Sequence, residues 1–400
     1  MYKRQSLDWA PKIDFTNTEI AFKGKTNSEL KKAAWLFNQM NKKWLVDPLS
    51  NLGLFAMKLH FPLTKTIIKN TMFKQFVGGT NLLKSQKVID RLWTNDVQSI
   101  LDYGAEAKET EKDFNLTMNE NIRAIEFAAT NESAPIISTK ITGLARFELL
   151  EDVQKDVVLN EKEKEEFRVV LKRVDSICHV ASKNGVGVFI DAEESWIQDT
   201  IDHITDVMMK RYNKEKVVVY NTFQMYRKDR LQFLTNSFEK SKKEGYLLGA
   251  KLVRGAYMEK ERIRAGEMGY VSPIQVNKKS TDDAYNMALR FCIENYESIG
   301  SCAATHNADS CQLQAKLIHE KRIKKNHPHI IFCQLYGMSD HLTFNLADAG
   351  YNVSKYLVYG QVKEVFPYLI RRAKENTAVS GDMSREYSLI MKEMNRRELS

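Results

Sequence analysis

The sequence has few of the residues that mark disordered chains, disulfide scaffolds or membrane spans. Only seven prolines and eighteen glycines occur among its 400 residues, which excludes a collagen-like or low-complexity protein. The five cysteines are widely spaced and form no CxxC pair, so reduced thiols are expected rather than a disulfide framework or a zinc site. No uninterrupted apolar stretch of about 18 residues occurs, so no membrane-spanning helix is expected.

Targeting signals are also missing from the start of the sequence. The first residues have no apolar core of a secretory signal, and Asp8, Asp14 and Glu19 argue against a transit peptide. We therefore expect a cytoplasmic protein, or one on the matrix side of the mitochondrial membrane if the source is eukaryotic. The segment Leu52–Phe76 is apolar and basic without an acid. It is expected either to lie on a membrane surface as a peripheral contact or, more simply, to pack on the rest of the protein.

The net charge of +9 favours anionic partners: nucleic acid, lipid head groups, a phosphorylated cofactor or a carboxylate substrate. A soluble protein with a lysine-rich surface explains the same charge more simply. The lysines are dispersed rather than clustered with aromatic residues, so no nucleic-acid partner is expected.

From about residue 95 onward, short apolar segments alternate with longer charged helical ones. Their nearly continuous apolar runs are typical of parallel strands that are buried on both faces. The strand candidates are Val97–Tyr103, Pro135–Thr142, Val186–Glu194, Lys216–Met225, Leu248–Ala256, Cys302–Asn307, His329–Tyr336 and Ser354–Tyr359.

Eight such units predict an α/β fold, a (β/α)₈ TIM-type barrel over residues 96–380. A doubly wound sheet is the alternative, but no GxGxxG follows any of these strands. Residues 1–95 are predicted to form a helical arm, with helices at Asn27–Trp44, Asp47–Leu63 and Leu63–Phe76, and residues 381–400 a helical tail.

Polar residues stand at or near the carboxyl end of most predicted strands, where barrel enzymes build their sites. Each alone is weak evidence, since a single lysine or histidine is more often structural. The set is Lys140, Asp191, Gln224, Lys251, Arg254, Thr305, His306, Asn307 and Tyr356.

The last long helical segment carries a second polar group. Tyr368, Arg371, Arg372 and Glu375 follow the spacing of one helix face, opposite an apolar face. An exposed face with an Arg371–Glu375 pair is one interpretation. The other is a carboxylate site, because planar guanidinium groups bind carboxylates with two parallel hydrogen bonds.

Five motifs together resemble the proline dehydrogenase family. They are Lys251-Leu-Val-Arg-Gly-Ala-Tyr257, Ile190-Asp-Ala-Glu-Glu194, Ala304-Thr-His-Asn307, Leu335-Tyr-Gly-Met338 and Tyr368-Leu-Ile-Arg-Arg-Ala-Lys-Glu375, in the family's order and spacing over roughly residues 95–380. The resemblance implies a distorted barrel that binds FAD at the carboxyl ends of its strands.

The resemblance also implies roles for individual residues. For the substrate L-proline, Arg371 and Arg372 would bind the carboxylate with Lys140. Tyr356, Tyr368 and Leu335 would surround the ring, and Glu375 would close an ion-pair gate. Asp191 would set the charge balance by pairing with Lys140 or Arg372, and Lys251 would lie near flavin N5. The FAD-binding residues would be Ala192, Gln224, Lys251, Val253, Arg254, Gly255, Ala256, Thr305, His306 and Asn307.

The activity implied by the resemblance is oxidation of proline to Δ1-pyrroline-5-carboxylate by hydride transfer to FAD, with a membrane quinone as final acceptor. The resemblance also implies that Tyr356 disfavours hydroxyproline as substrate, because the family members that use hydroxyproline have a smaller residue at this position. Three further alternatives stay open. They are a Schiff-base aldolase that uses Lys140 or Lys251, a metal enzyme built on His306 and Asp191, which lacks a close ligand pair, and a basic nucleic-acid-binding protein.

Overall fold

The computed structural model of the protein describes residues 12–42, 66–104, 108–378 and 382–399; the side chains of residues 374–384 lie outside that description. The predicted helix Asp47–Leu63 is outside the described residues. So are the end of the predicted helix Asn27–Trp44 and the beginning of Leu63–Phe76.

Eight parallel strands, within the residues described, close into a barrel in chain order. The first strand pairs with the eighth along its whole length, from Val97 opposite Val353 to Tyr103 opposite Tyr359. This closure confirms the predicted (β/α)₈ fold and shows that the doubly wound alternative is wrong. The strands are β1 Val97–Tyr103, β2 Ile136–Thr139, β3 Gly187–Ile190, β4 Val219–Gln224, β5 Leu248–Val253, β6 Ile299–Ala304, β7 Ile330–Leu335 and β8 Val353–Tyr359.

The observed strands mostly stop before the polar residues that the prediction had included in them. β3 ends at Ile190, and Asp191 follows it. The backbone of Asp191 still donates to Thr139 O at 2.9 Å. Asp191 therefore lies at the carboxyl end of β3, the end of the barrel at which (β/α)₈ enzymes form their sites.

The strands separate two apolar layers, which explains their nearly continuous hydrophobic runs. One set of side chains packs between the strands and the surrounding helices, for example Ile137, Val188 and Leu252. The alternate set fills the barrel interior, for example Ile100 and Phe189. Successive strand side chains point to opposite faces, so a strand buried on both faces is apolar throughout.

Helices alternate with the strands and surround the barrel. Before β1 lie α1 Thr18–Phe22, α2 Asn27–Met40, a helical stretch at Lys69–Phe73 and Lys74–Phe76, and α3 Leu82–Trp93. The remaining helices are α4 Glu111–Ala129, α5 Phe147–Gln154, α6 Glu161–Asn184, α7 Ser195–Tyr212, α8 Arg230–Glu244, α9 Met258–Met268, α10 Lys278–Glu294, α11 Ala308–Glu320, α12 Asp340–Asp348, α13 Val362–Ala378 and α14 Asp382–Arg396.

The helix ends follow the local sequence. Thr26 and Glu29 form a capping box at the start of α2. Asn160 and Glu163 do the same for α6, which ends at Gly185 in the left-handed conformation with φ of 70°. Reciprocal capping satisfies amide groups that have no partner inside the helix. These helix boundaries are therefore set by residues within one turn of them.

The first and last helices pack together beside the barrel. α2 packs against α14, and α1 packs against α12 and α14. Arg397 donates to the carbonyl oxygens of Lys25 and Phe22, at 2.8 Å in each case. Both ends of the described chain therefore meet next to the loop that follows β7.

The described part of the segment Leu52–Phe76 is amphipathic. Phe73 and Phe76 are buried, whereas Lys69 and Lys74 are exposed. This part packs on the rest of the protein through these two phenylalanines, which was the simpler of the two expectations. Among the helices described, none has the length and apolar character needed to cross a membrane. All five cysteines are buried free thiols.

Candidate active site

Asp191 is the centre of a buried polar cluster at the carboxyl ends of β2, β3, β5 and β8. Its Oδ1 accepts from Lys251 Nζ at 2.5 Å and from Ser138 Oγ at 2.9 Å. Its Oδ2 accepts from the Tyr356 hydroxyl at 2.7 Å. Burial by itself would raise the pKa of Asp191, but the cations Lys251 and Lys140 outweigh it and the pKa is lowered. Lys251 is a partner of Asp191 that the prediction, which named Lys140 or Arg372, did not include.

Two aromatic rings hold the ammonium group of Lys251. Its Nζ lies 4.7 Å from the ring centroid of Tyr356 and 5.3 Å from that of Phe189. Cation–π contacts of this kind stabilise a charged group that has little contact with water. The structure therefore places a fixed, compensated cation at the barrel mouth.

Glu193 forms a second buried acidic position beside Asp191. Its carboxylate accepts from the Thr142 amide at 3.1 Å and from the Thr142 hydroxyl at 2.5 Å. Its own carbonyl oxygen accepts from Gln224 Nε2 at 2.7 Å. Burial raises the pKa of Glu193 to about 7, although Lys140 opposes the shift. Because Lys140 influences both acids, it lies close to this cluster.

Arg254, at the end of β5, joins three neighbouring elements. Its guanidinium donates to Asp282 Oδ1 and to Thr305 Oγ1, both at 2.6 Å, and to Ser310 Oγ at 3.0 Å. Asn307 caps α11 by accepting from the Ser310 amide at 2.8 Å. The structure thus brings together the predicted residues Arg254, Thr305 and Asn307.

Gly255 shapes the exposed loop after β5. Its φ is 128°, a backbone conformation that residues with a side chain rarely adopt, and a Cβ there would lie 2.5 Å from the ring of Tyr226. Val253 is half-buried and Ala256 is exposed beside it. A glycine in such a position lets a ligand approach the backbone closely.

His306 follows β6 and contacts a serine of the loop after β7. Its Nδ1 lies 2.8 Å from Ser339 Oγ. Burial, followed by the cations Lys355 and Arg372, lowers the pKa of His306 to about 3. The imidazole is therefore neutral at physiological pH.

The polar face of α13 turns inward, which sequence spacing left undecided. Tyr368 and Arg372 are buried, and Arg371 is half-buried. The guanidinium carbon of Arg372 lies 5.2 Å from the ring centroid of Tyr368. Arg372 also contributes to the lowered pKa of His306, so this face of α13 reaches the strand ends. The side chain of Glu375 lies outside the described residues.

Four charged residues near the site were missed by the sequence analysis. Lys355 in β8 is fully buried and pairs with Asp340 at 2.9 Å. Asp340 also pairs with Lys25 at 3.1 Å, and Glu386 accepts from the Ser339 amide at 2.6 Å. The lysine inside the apolar run VSKYLVY could have indicated a buried ion pair, because a buried lysine needs a partner.

Lys355 fixes the segment from Leu335, the last residue of β7, to Ser339 in the loop that follows. Its Nζ donates to Met338 O at 2.5 Å and to Leu335 O at 3.4 Å. On the other side of the loop, Gln75 donates to Gly337 O at 2.7 Å.

Replacing Lys355 by methionine is expected to lower the free energy of unfolding by about 3 kcal/mol, because Asp340 and two carbonyl groups lose a buried partner. Urea denaturation followed by circular dichroism measures the change. Lys363→Met removes an exposed lysine of α13 and is expected to change the stability by less than about 0.5 kcal/mol. Equal effects of the two substitutions would contradict the role given to Lys355.

The fold and the site define a (β/α)₈-barrel enzyme whose mouth combines a compensated lysine, buried acids and an inward-facing arginine. The model of the proline dehydrogenase family matches residues 85–385. The chain belongs to this family, and the family prediction made from its motifs is confirmed.

Two sequence relatives agree with this assignment, and a solved structure agrees with the fold. Proline dehydrogenase 1, mitochondrial, of Dictyostelium discoideum is 32% identical over 401 residues, covering 89% of this chain and 69% of that protein. Hydroxyproline dehydrogenase of Xenopus laevis is 30% identical over 366 residues, covering 82% and 78%. The structure of proline utilization A from Bdellovibrio bacteriovorus superposes with a TM-score of 0.73 at 21% identity. It covers 91% of this chain, which spans only 41% of that protein.

Proposed function

We propose that this protein oxidises L-proline to Δ1-pyrroline-5-carboxylate with FAD as the hydride acceptor, and that a quinone takes up the electrons. The observation that carries the proposal is that Tyr368, which contacts Arg372, belongs to the same buried cluster as Tyr356, which Asp191 holds. This arrangement offers a guanidinium to a small carboxylate and two phenol rings to a small apolar ring. We also propose residues 96–380 as the catalytic barrel, with residues 1–95 as the N-terminal arm and 381–400 as the tail.

The residues at the β5 and β6 ends fit a flavin dinucleotide. Gly255 exposes backbone that a phosphate could approach, and Arg254 supplies a cation beside it. Lys251 and Gln224 would lie near the isoalloxazine ring, and Ala192, Val253, Ala256, Thr305, His306 and Asn307 would complete the cofactor contacts. FAD supplies the two-electron oxidant when bound.

Arg371, Arg372 and Lys140 would bind the proline carboxylate, with Glu375 helping to order the arginines. Tyr356, Tyr368 and Leu335 would surround the pyrrolidine ring and hold the carbon that loses hydride in a fixed orientation. The amine must be neutral so that its lone pair assists the loss of hydride. Lys251 would stabilise negative charge that develops near it, because its ammonium is already oriented by Asp191.

The direct test is an anaerobic absorbance spectrum. The purified protein, or the protein reconstituted with FAD, is expected to show oxidised flavin bands that are bleached by L-proline. A buffer blank and D-proline serve as controls for photoreduction and for non-specific amine effects. A preparation that neither contains nor binds flavin would refute the proposal, and so would a flavin that proline leaves oxidised.

Hydroxyproline is the second candidate substrate, since one relative carries the name hydroxyproline dehydrogenase. Tyr356 argues against it here. Its buried hydroxyl is fixed by Asp191, so the ring stays where a 4-hydroxyl group would need room.

Tyr356→Ser is therefore expected to shift the preference toward trans-4-hydroxyproline by roughly tenfold to a hundredfold in the ratio of kcat/KM values. Steady-state kinetics with both substrates measure the ratio in the wild type and the variant. Tyr270→Ser, which changes an exposed tyrosine, is the matched control. Equal use of both substrates by the wild-type protein would contradict the role of Tyr356.

The cellular setting is proposed from the relatives. The Dictyostelium relative is named as mitochondrial, and we propose a membrane-associated location where a quinone is available. Vesicle flotation with and without acidic lipid tests peripheral binding. Retention of the protein in the soluble fraction under both conditions would contradict it.

A further inference from the structure

A chain of buried ion pairs joins the N-terminal part of the protein to the strand that carries Tyr356. Lys355 Nζ lies 2.9 Å from Asp340 Oδ1, and Lys25 Nζ lies 3.1 Å from Asp340 Oδ2. Lys355 is completely buried, and Asp340 is buried as the first residue of α12. Lys25 is half-buried just before α2. These three residues, Lys25, Asp340 and Lys355, are called the buried triad below.

The buried triad lies behind the wall of the candidate substrate site. Tyr356 belongs to the cluster inside the barrel, so Lys355, one position earlier in the strand, points to the opposite face. There its ammonium donates to Leu335 O at 3.4 Å and to Met338 O at 2.5 Å. Leu335 is the partner of Tyr356 in the ladder between β7 and β8. Asp191 fixes the hydroxyl end of Tyr356, and Lys355 fixes the neighbouring wall at Leu335.

Other contacts hold the same segment at points further from the site. Gln75 donates to Gly337 O at 2.7 Å, and a Cβ on Gly337 would lie 2.0 Å from the Gln75 carbonyl oxygen. The amide of Ser339 donates to Glu386 at 2.6 Å. These contacts fix the path of the chain after β7. The hydrogen bonds from Lys355 act nearest to the site, and they are charge-assisted, which makes them stronger than neutral ones.

Stability by itself is a weak reason for placing three charges here. Moving ammonium and carboxylate groups out of water is costly, and well-packed apolar side chains at such positions are often at least as stable. Apolar side chains cannot hold two carbonyl oxygens in fixed positions, however, because this needs a donor. The buried triad supplies that donor in Lys355, and the carboxylate of Asp340 keeps its ammonium oriented.

We propose that the buried triad determines substrate specificity by fixing the position of Leu335 relative to Tyr356, so that the space beside them accepts a five-membered ring and disfavours a larger one. Lys355 is the positioning residue, Asp340 orients it, and Lys25 holds Asp340 from the N-terminal part of the chain. The identity of the ring rests on the proposed function. The hold on the chain after β7 does not, so the two can be tested separately.

Ring-size discrimination in the FAD-loaded protein measures the specificity. L-Pipecolate, whose ring has one more carbon than that of proline, is tested as a competitor of proline oxidation. The readout is the ratio of its inhibition constant to KM for proline, which does not require that pipecolate be oxidised. Lys355→Met is expected to lower this ratio roughly tenfold, because the wall at Leu335 can yield to the larger ring. An unchanged ratio in folded Lys355→Met would overturn the proposal.

Two lysines of the N-terminal part provide a matched pair of substitutions. Lys25→Met removes the outer member of the buried triad and is expected to lower the same ratio by about threefold, because Asp340 still orients Lys355. Lys23→Met changes an exposed lysine two positions earlier and is expected to leave the ratio unchanged. Equal ratios in these two variants would show that Lys25 has no part in specificity.

A triple variant separates positioning from stability. Lys25→Met, Asp340→Leu and Lys355→Met together leave no unpaired buried charge, so this protein is expected to be more stable than Lys355→Met alone. The carbonyl oxygens of Leu335 and Met338 still lack their donor, so the pipecolate ratio is expected to stay low. Recovery of the wild-type ratio together with the stability would show that the buried triad is only structural. This variant and Lys25→Met decide the question if Lys355→Met folds too poorly to be assayed.

Hydrogen exchange gives a readout that does not depend on activity. Mass spectrometry of peptides that cover residues 335–339 is expected to show roughly tenfold faster amide exchange in FAD-loaded Lys355→Met, while peptides from α6 exchange as in the wild type. Unchanged exchange at residues 335–339 would overturn the role of Lys355. Faster exchange there, in a protein whose wild type does not oxidise proline, would refute the proposed function and the specificity but leave the hold by Lys355 standing.

Discussion

Asp191→Ala is expected to lower kcat/KM for proline about a thousandfold and the free energy of unfolding by about 3–5 kcal/mol. The substitution leaves Lys251 as a buried cation without its carboxylate partner. It also removes the acceptor of Ser138 and Tyr356. The tyrosine ring that would contact the substrate then loses its fixed position. Steady-state kinetics and urea denaturation measure the two effects.

Two further variants serve as comparisons. One separates the charge of Asp191 from its hydrogen bonding, and the other measures the loss of an ordinary surface ion pair. Asp191→Asn keeps an oxygen acceptor but removes the charge, and it is expected to recover part of the stability and little of the activity. Asp283→Ala breaks an ion pair of similar length, 2.6 Å to Lys279, on the surface of α10. Its expected cost is below about 1 kcal/mol. Normal kinetics in a destabilised Asp191→Ala protein would show that the cluster is only structural.

Arg372→Met is expected to raise KM for proline by about two orders of magnitude while FAD affinity stays within about threefold of the wild type. Removing a buried guanidinium that binds a carboxylate costs about 2–5 kcal/mol of binding free energy. Methionine keeps much of the apolar volume that packs against Tyr368. Proline kinetics and flavin titration on the same preparation give both quantities.

The control for this second substitution is Arg290→Met, which changes an exposed arginine of α10 and is expected to leave KM unchanged. Arg371→Met is expected to act in the same direction as Arg372→Met but less strongly, because Arg371 is only half-buried. If Arg372→Met weakened FAD binding and left KM for proline unchanged, Arg372 would belong to the cofactor site instead.

Strand positions were predicted well where the residue type and the burial agree. Val97–Tyr103 was predicted with the observed boundaries, because its apolar and β-branched residues are bounded by polar turns. β6 was predicted to begin at Cys302 but begins at Ile299. Gly300 and Ser301 have little intrinsic preference for a strand, and their pairing with β5 decides their conformation.

Site residues could be predicted when they belonged to a motif. Their contacts could not, because the contacting residues come from distant parts of the chain. Asp191, Lys251 and Tyr356 were recognised, but not their mutual contacts. Lys25 and Glu386 carry no local signal, since each has other charged residues close to it in the sequence. Their importance appears only when the chain ends meet beside the loop after β7.

The sequence by itself determined the alternation of buried strands and amphipathic helices, the caps that end the helices, and the family to which the chain belongs. These properties depend on residues that are close together in the chain or on motifs of fixed spacing. Only the tertiary structure decided that the Arg372 face of α13 points inward and that Asp191 pairs with Lys251. It also decided that Ser339 contacts both His306 and Glu386. Helical periodicity specifies which residues share a face but not what that face meets, because this depends on the closure of the barrel and the packing of distant elements around it.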